Sequence, residues 1–223
     1  MKPINMDSTN KLIELFKEFP GIGPRQAKRF VYFLLNRDKV YVRNLAELIN
    51  QVRDTVHNCE LCFRFFPLNH SAMQNGRAST ESALAKQECV ICRDPNRENK
   101  QIMLVSHDID LENIEKSKNY KGYYFVLGGT VPILEKTPEK KIRQKELIDT
   151  IEKRLKNGLK EIILALNYNP EGENTLTYLS DLLSRTVLDN KVKISTLGRG
   201  LSTGTELEYS DSETIKNALK NRQ

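Results

Sequence analysis

The chain has 223 residues, with 35 Lys and Arg against 29 Asp and Glu, four Cys, no Trp and a formal net charge of +6. That length suits one large domain or two to three small ones, and 39% hydrophobic residues suffice for a buried core. No run approaches 18 apolar residues and the first residues carry no signal-peptide pattern, so neither a membrane span nor secretion is expected; the expected compartment is a reducing cytoplasm, where thiols bind metal more often than they cross-link.

Residues 1–58 read as helical. Leu12, Leu15, Phe16 and Phe19 recur at helix spacing behind the polar run Asp7-Ser8-Thr9-Asn10. Pro20-Gly21-Ile22-Gly23-Pro24 breaks this helix, and Pro24 suits the first position of a second, whose stripe is Ala27, Phe30, Val31, Leu34 and Leu35. A third stripe is Leu45, Leu48, Ile49, Val52 and Val56, with Asn44 and Glu47 resembling a capping box. Residues 59–98 hold the pairs Cys59/Cys62 and Cys89/Cys92; the polar stretch 69–87 between them reads as a loop. From residue 99 the pattern alternates: strand at 102–105, short helix near Leu111 and Ile114, strand at 123–127, helix at 142–155, strand at 161–166, helix at about 174–185, strand at 192–197. Such alternation implies right-handed crossovers and a largely parallel sheet with helices on both faces. A tail at 197–223 has a glycine-rich turn, a short Leu207-Glu208-Tyr209 piece and a last helix. The fold class expected is α+β and multidomain.

Three motifs carry chemistry. Gly21 and Gly23 let a backbone approach the start of a helix, where free N–H groups favour an anion such as a nucleic-acid phosphate. Arg25 and Arg29 share one helix face beside Lys28, and can flank the same backbone without reading its sequence. A solvated interhelical turn is the plainer alternative. The Cys pairs account for every Cys in the chain, and two knuckles complete a tetrahedral Cys₄ site for one structural Zn²⁺ with no open position; His57 reads as a surface neighbour. Glu171 and Glu173 follow a strand end, where α/β sheets place ligand groups, and either hold Mg²⁺ or serve the positive end of the next helix. Asp108 and Asp110 stand near another strand end.

The order FPGIGPRQAKRF, two Cys pairs, YKGYYFVLGG, NPEGE and GRGLSTGTELEYSD resembles the bacterial RecR family of recombination mediators over essentially the whole chain. The resemblance implies a helix–hairpin–helix DNA-binding region at 1–58, a C4 zinc finger with a long inserted loop at 59–98, a Toprim domain at 99–196 and a tail for subunit contacts at 197–223. It implies a ring-like homotetramer that binds gapped or duplex DNA without sequence preference and acts with RecO and RecF to load RecA in DNA repair. In that family the hairpin's basic residues, here Arg25 and Arg29, contact DNA, and the Toprim acids, here Glu171 and Glu173, serve partner binding rather than catalysis.

Two departures stand out. The 26 residues between the Cys pairs exceed the family's usual short loop, which costs little in closure entropy. The first Toprim strand ends at Ser106-His107 where the family keeps a Glu, with Asp108 as a shifted candidate. With the acidic set incomplete and no Walker lysine motif, a non-enzymatic scaffold is expected. A Mg²⁺-dependent Toprim nuclease or topoisomerase-like enzyme is the alternative, and a zinc-ribbon transcription factor a third.

Overall fold

The computed structural model describes residues 7–67, 87–186, 192–198, 200–201, 204 and 206–220. The expected loop at 69–87 lies outside the described residues except for Gln87. The chain divides into two compact units, Met1–Val56 and His57–Gln223.

The first unit holds α1 (Ser8–Lys17), α2 (Pro24–Leu35) and α3 (Lys39–Thr55). Pro24 opens α2 behind Gly23, as its missing N–H allows. The core is small: Ile13, Ala27 and Val31, with Leu12, Phe16 and Ile22 packed around them. Leu15, Phe19 and Leu35 of the expected stripes are instead exposed, and Ile13, outside the expected set, is buried. α3 starts earlier than the Asn44–Glu47 pair suggests. Asp38 is its N-cap, accepting from the Tyr41 N–H at 2.7 Å, so Asn44 lies inside the helix. Among the described residues no α3 residue is buried, and Leu48, Ile49 and Val52 of the expected stripe are more than half exposed.

β1 (Val56–Asn58) pairs with β2 (Phe65–Pro67) and leads into the cysteine region, where α4 (Val90–Arg93) starts behind Cys89. Then follow β3 (Glu98–Val105), α5 (Asp108–Ser117), β4 (Gly122–Val126), α6 (Gln144–Lys156), β5 (Glu161–Ala165), α7 (Pro170–Thr186), β6 (Lys193–Thr196), a 3₁₀ turn (Leu207–Tyr209) and α8 (Ser212–Lys220). The four long-sheet strands run in the order β4-β3-β5-β6, all parallel. Register follows the period of two. Ile102, Leu104, Phe125, Ile162 and Leu164 face one side, where Leu147 and Ile151 of α6 and Leu179 and Leu183 of α7 meet them. Met103, Val105, Tyr124, Val126 and Ala165 face the other, against Leu111 of α5 and the four cysteines. α7 begins four residues before the expected start. Asn169 caps it through Oδ1, which accepts from the Gly172 N–H at 2.8 Å.

Candidate nucleic-acid interface and metal centre

The hairpin between α1 and α2 is closed by the Ile22 N–H donating to the Phe19 carbonyl at 3.1 Å. Gly21 has φ of +76°, a conformation side chains resist, which accounts for that glycine by backbone alone. Gly23 has an ordinary φ of −82°, and a Cβ built there meets nothing within 4 Å. Its neighbourhood is open at the N-terminus of α2, where free amides and the helix dipole favour an anion. Arg25, Lys28 and Arg29 are exposed on the first two turns; Arg29 bonds only the side chain of Gln26, and none is ion-paired among the described residues.

The four cysteines converge. Their sulfurs lie within 4.8 Å of one another, all four residues are buried, and none forms a disulfide. A tetrahedron with Zn–S bonds of ~2.3 Å has edges of about 3.8 Å; the Cys62–Cys89 sulfur separation is 3.6 Å. Among the described residues this is the group of three or more metal-ligating side chains, and His57 is not in it. The donor set therefore suits one tetrahedral ion. The Cys59 thiol is pushed far down, first by its hydrogen bond to Cys62 and then by Cys89 and Cys92, while Cys62 and Cys92 are pushed up. The Cys89 N–H points at Cys59 Sγ at 3.3 Å, as amides do toward thiolates.

This knuckle is built onto the sheet. β4 is an edge strand, and its outward Val126 N–H donates to the Cys62 carbonyl at 2.8 Å. The Val126 carbonyl accepts from Arg143 Nη1 at 2.9 Å. Phe63, held at φ of +60°, packs on Phe125 with centroids 5.2 Å apart, under the Arg143 guanidinium. Asp108 Oδ1 accepts from the Phe65 N–H at 2.7 Å. Sequence reading missed Phe63, Arg143 and the role of Asp108, since no local pattern announces a contact across 43 residues.

The acids do not converge. Ser106, just after β3, is fully buried, with its hydroxyl unpartnered among the described residues, and carries no carboxylate. Asp108 ties down β2. Glu171 and Glu173 lie in the first turn of α7, the favourable end of its dipole, where residues two apart point to different sides. Glu171 Oε2 accepts from the Thr130 hydroxyl at 3.0 Å. Glu173 lines a separate cavity of about 350 Å³ with Tyr168, Asp211, Thr214 and Asn217. Gly172 between them is obligatory: a Cβ there would lie 1.9 Å from the Asn167 carbonyl oxygen.

Three family models match this layout, each on the part of the chain where the corresponding structure lies. Residues 9–53 match the RecR helix-hairpin-helix, 100–198 the Toprim domain and 200–223 the RecR C-terminal region. A recombination protein RecR of Bifidobacterium animalis subsp. lactis is 36% identical over 214 residues, covering 96% of this chain and 94% of that protein. Recombination protein RecR of Dehalococcoides mccartyi is 34% identical over 228 residues, covering 100% of this chain and 99% of its own length. That of Bdellovibrio bacteriovorus is 32% identical over 222 residues, covering 98% of each. Hairpin, four-cysteine knuckle and parallel sheet thus occur in one chain that aligns end to end with these proteins, and the chain belongs to the RecR family of recombination proteins.

Proposed function

We propose that this protein is a non-catalytic DNA-binding mediator of recombinational repair, which works as a ring of subunits with RecO and RecF to load RecA onto gapped DNA in the bacterial cytoplasm. The observation that carries the reading is the hairpin. Gly23 has nothing within 4 Å of a built Cβ at the start of α2, and Arg25, Lys28 and Arg29 stand beside it, exposed and with no carboxylate partner among the described residues. Gly21, Gly23 and these three cations contact phosphates and leave the bases unread.

Catalysis finds little support in the acidic residues. Magnesium chemistry at a Toprim site needs converging carboxylates, whereas Glu171 and Glu173 diverge and the residue that follows β3 is Ser106. The two glutamates serve partner binding in this reading. Cys59, Cys62, Cys89 and Cys92 hold one Zn²⁺, which when bound supplies a closed structural cross-link and no open coordination position. Self-association is supported by the exposure of Leu48, Ile49 and Val52 on α3 among the described residues. A ring also multiplies weak contacts, which suits a chain whose net charge is only +6.

The test is a salt titration of DNA binding by the wild type and by an Arg25→Ala/Arg29→Ala variant. The variant is expected to bind more weakly, with a slope of log affinity against log salt smaller by about one to two units. An unchanged slope removes the hairpin from the interface. Relaxation or cleavage of supercoiled DNA in Mg²⁺, abolished by Glu171→Ala, would overturn the non-catalytic assignment.

A further inference from the structure

The corner between α2 and α3 gathers aromatic rings and cations on one surface. α2 ends at Leu35 and α3 begins at Lys39, so three residues make the turn. Asn36 closes it: its N–H donates to the Tyr32 and Phe33 carbonyls, each at 3.2 Å, and its Nδ2 to the Tyr32 carbonyl at 2.8 Å. The turn sets Phe33 of α2 against Tyr41 of α3, edge to face, with ring centroids 6.2 Å apart. The Arg37 guanidinium lies 4.4 Å from the Phe33 centroid and 5.5 Å from that of Tyr41. A core would hide these rings. Here Phe33 is 44% exposed, Tyr41 42% and the neighbouring Tyr32 58%. Arg37 is exposed too, and among the described residues its charge meets rings and no carboxylate.

Charge and spacing tie this corner to the hairpin. Residues 20–43 carry six Lys and Arg and one carboxylate, Asp38, whose Oδ1 is already engaged by the Tyr41 N–H at 2.7 Å. With a net charge of only +6 for the whole chain, the remainder is close to neutral. Arg25, Arg29 and Phe33 recur every four residues and so form one ridge of α2. At 1.5 Å per residue the ridge runs about 12 Å from the hairpin to the corner.

We propose that this corner, formed by Phe33, Arg37 and Tyr41, is a stacking platform for the unpaired bases of single-stranded DNA. It rests on the reading that the chain binds DNA, and adds a base contact to the hairpin's phosphate contact. Every base has a π-face, so stacking on exposed rings tolerates any sequence, and an arginine beside the rings adds a cation for the strand. Bases in a duplex are already stacked on one another, whereas unpaired ones are free to meet the rings. The platform therefore selects the single strand, while the ridge leads to a phosphate contact that either form satisfies. A second copy of this chain fits poorly. An isologous contact sets the corner against itself, with the exposed Arg37, Lys39 and Arg43 facing like charges.

Fluorescence anisotropy across a KCl series compares wild type, Arg25→Ala/Arg29→Ala and Phe33→Leu/Tyr41→Leu. Three labelled probes of equal length are used: a mixed-sequence single strand, an abasic strand and a duplex. Leucine keeps apolar bulk and removes the rings. The wild type is expected to bind the single strand roughly tenfold or more tightly than the abasic strand. In Phe33→Leu/Tyr41→Leu that preference is expected to vanish, through a roughly tenfold loss on the single strand with duplex affinity held within about twofold. Its salt slope is expected to stay unchanged, because no phosphate contact has been removed, whereas Arg25→Ala/Arg29→Ala lowers the slope on all three probes. Tyr41→Phe keeps the ring and is expected to bind as the wild type does. Equal wild-type affinity for the base-bearing and abasic strands overturns the inference, whether or not the leucine variant folds. Wild-type binding of the single strand by a folded leucine variant overturns it too. Either result leaves the hairpin reading intact so long as Arg25→Ala/Arg29→Ala weakens binding. A leucine variant whose mass by light scattering falls while its preference for bases persists marks the corner as a subunit contact, and likewise overturns it. A wild type that binds none of the probes removes both readings.

Discussion

In the unit His57–Gln223 the sheet is sealed on both faces: Leu104, Phe125, Ile162 and Leu164 under α6 and α7, Tyr124 and Val126 under α5 and the cysteine knuckle. Among the described residues of the unit Met1–Val56, Ile13, Ala27 and Val31 are the buried ones, while Leu15, Phe19, Tyr32, Leu35, Leu48, Ile49 and Val52 are exposed. One unit has the core of an independent fold. The other is a small helical piece with much of its described apolar surface exposed. Small domains usually need a staple or a partner. The second unit has a staple in its four thiols; the exposed faces of the first are consistent with a partner.

The largest effect is expected from attacking the staple. Chelation of the metal, or Cys89→Ser, is expected to lower the Tm of the second unit by roughly 10 °C or more, because binding free energy at such a site is folding free energy. Differential scanning calorimetry checks it, and an unmoved transition would sink the metal assignment. Next come the cores. Leu164→Ala is expected to cost about 2–5 kcal/mol by chemical denaturation. Ile49→Ala is expected to change the stability of the dilute chain by less than about 0.5 kcal/mol and instead to shift the oligomeric state seen by light scattering. Equal costs at the two positions would erase the contrast between the units.

Glycines sharpen the same comparison. Gly172→Ala forces a Cβ against a backbone oxygen and is expected to cost about 1–3 kcal/mol. Gly23→Ala meets open space, so stability is expected to hold within about 0.5 kcal/mol while DNA affinity falls. Glu135 provides the smallest effect. The Thr137 N–H, then Lys141 and the Thr137 hydroxyl, hold its carboxyl down to about 2. A depressed folded pKa means the contribution is present above the unfolded value near 4.5 and is lost as pH falls from there toward 2. Glu135→Gln is expected to flatten that part of the Tm–pH curve slightly. A curve of unaltered slope would show that the Thr137 and Lys141 contacts do not persist in solution.

Much of this architecture is legible before any coordinates. The apolar runs at 102–105, 123–127 and 161–166 end within a few residues of real strands, because buried parallel strands must be continuously apolar. The two Cys pairs announce their own convergence. Legibility fails where the partner group is remote or absent. The α3 stripe has helical periodicity, yet periodicity says that a face is apolar and not what covers it. Asp38 shows the same limit on a smaller scale: it caps α3 from just beyond an apolar pattern that made Asn44 look like the start. The Asn169-Pro170 pair was a readable start signal for α7, and reading it would have placed Glu171 and Glu173 on diverging sides of a helix. Nothing in the spacing of residues reveals that Asp108 holds Phe65.

On the edge strand β4 the Val126 N–H is taken by the Cys62 carbonyl and the Val126 C=O by Arg143. An edge strand with free N–H and C=O groups is a template for another strand, so the cysteine-bearing turn blunts part of that border and works as a guard against edge-to-edge aggregation. An ion bound at the four thiols would hold the guard in place, and its removal would leave β4 open to a second chain.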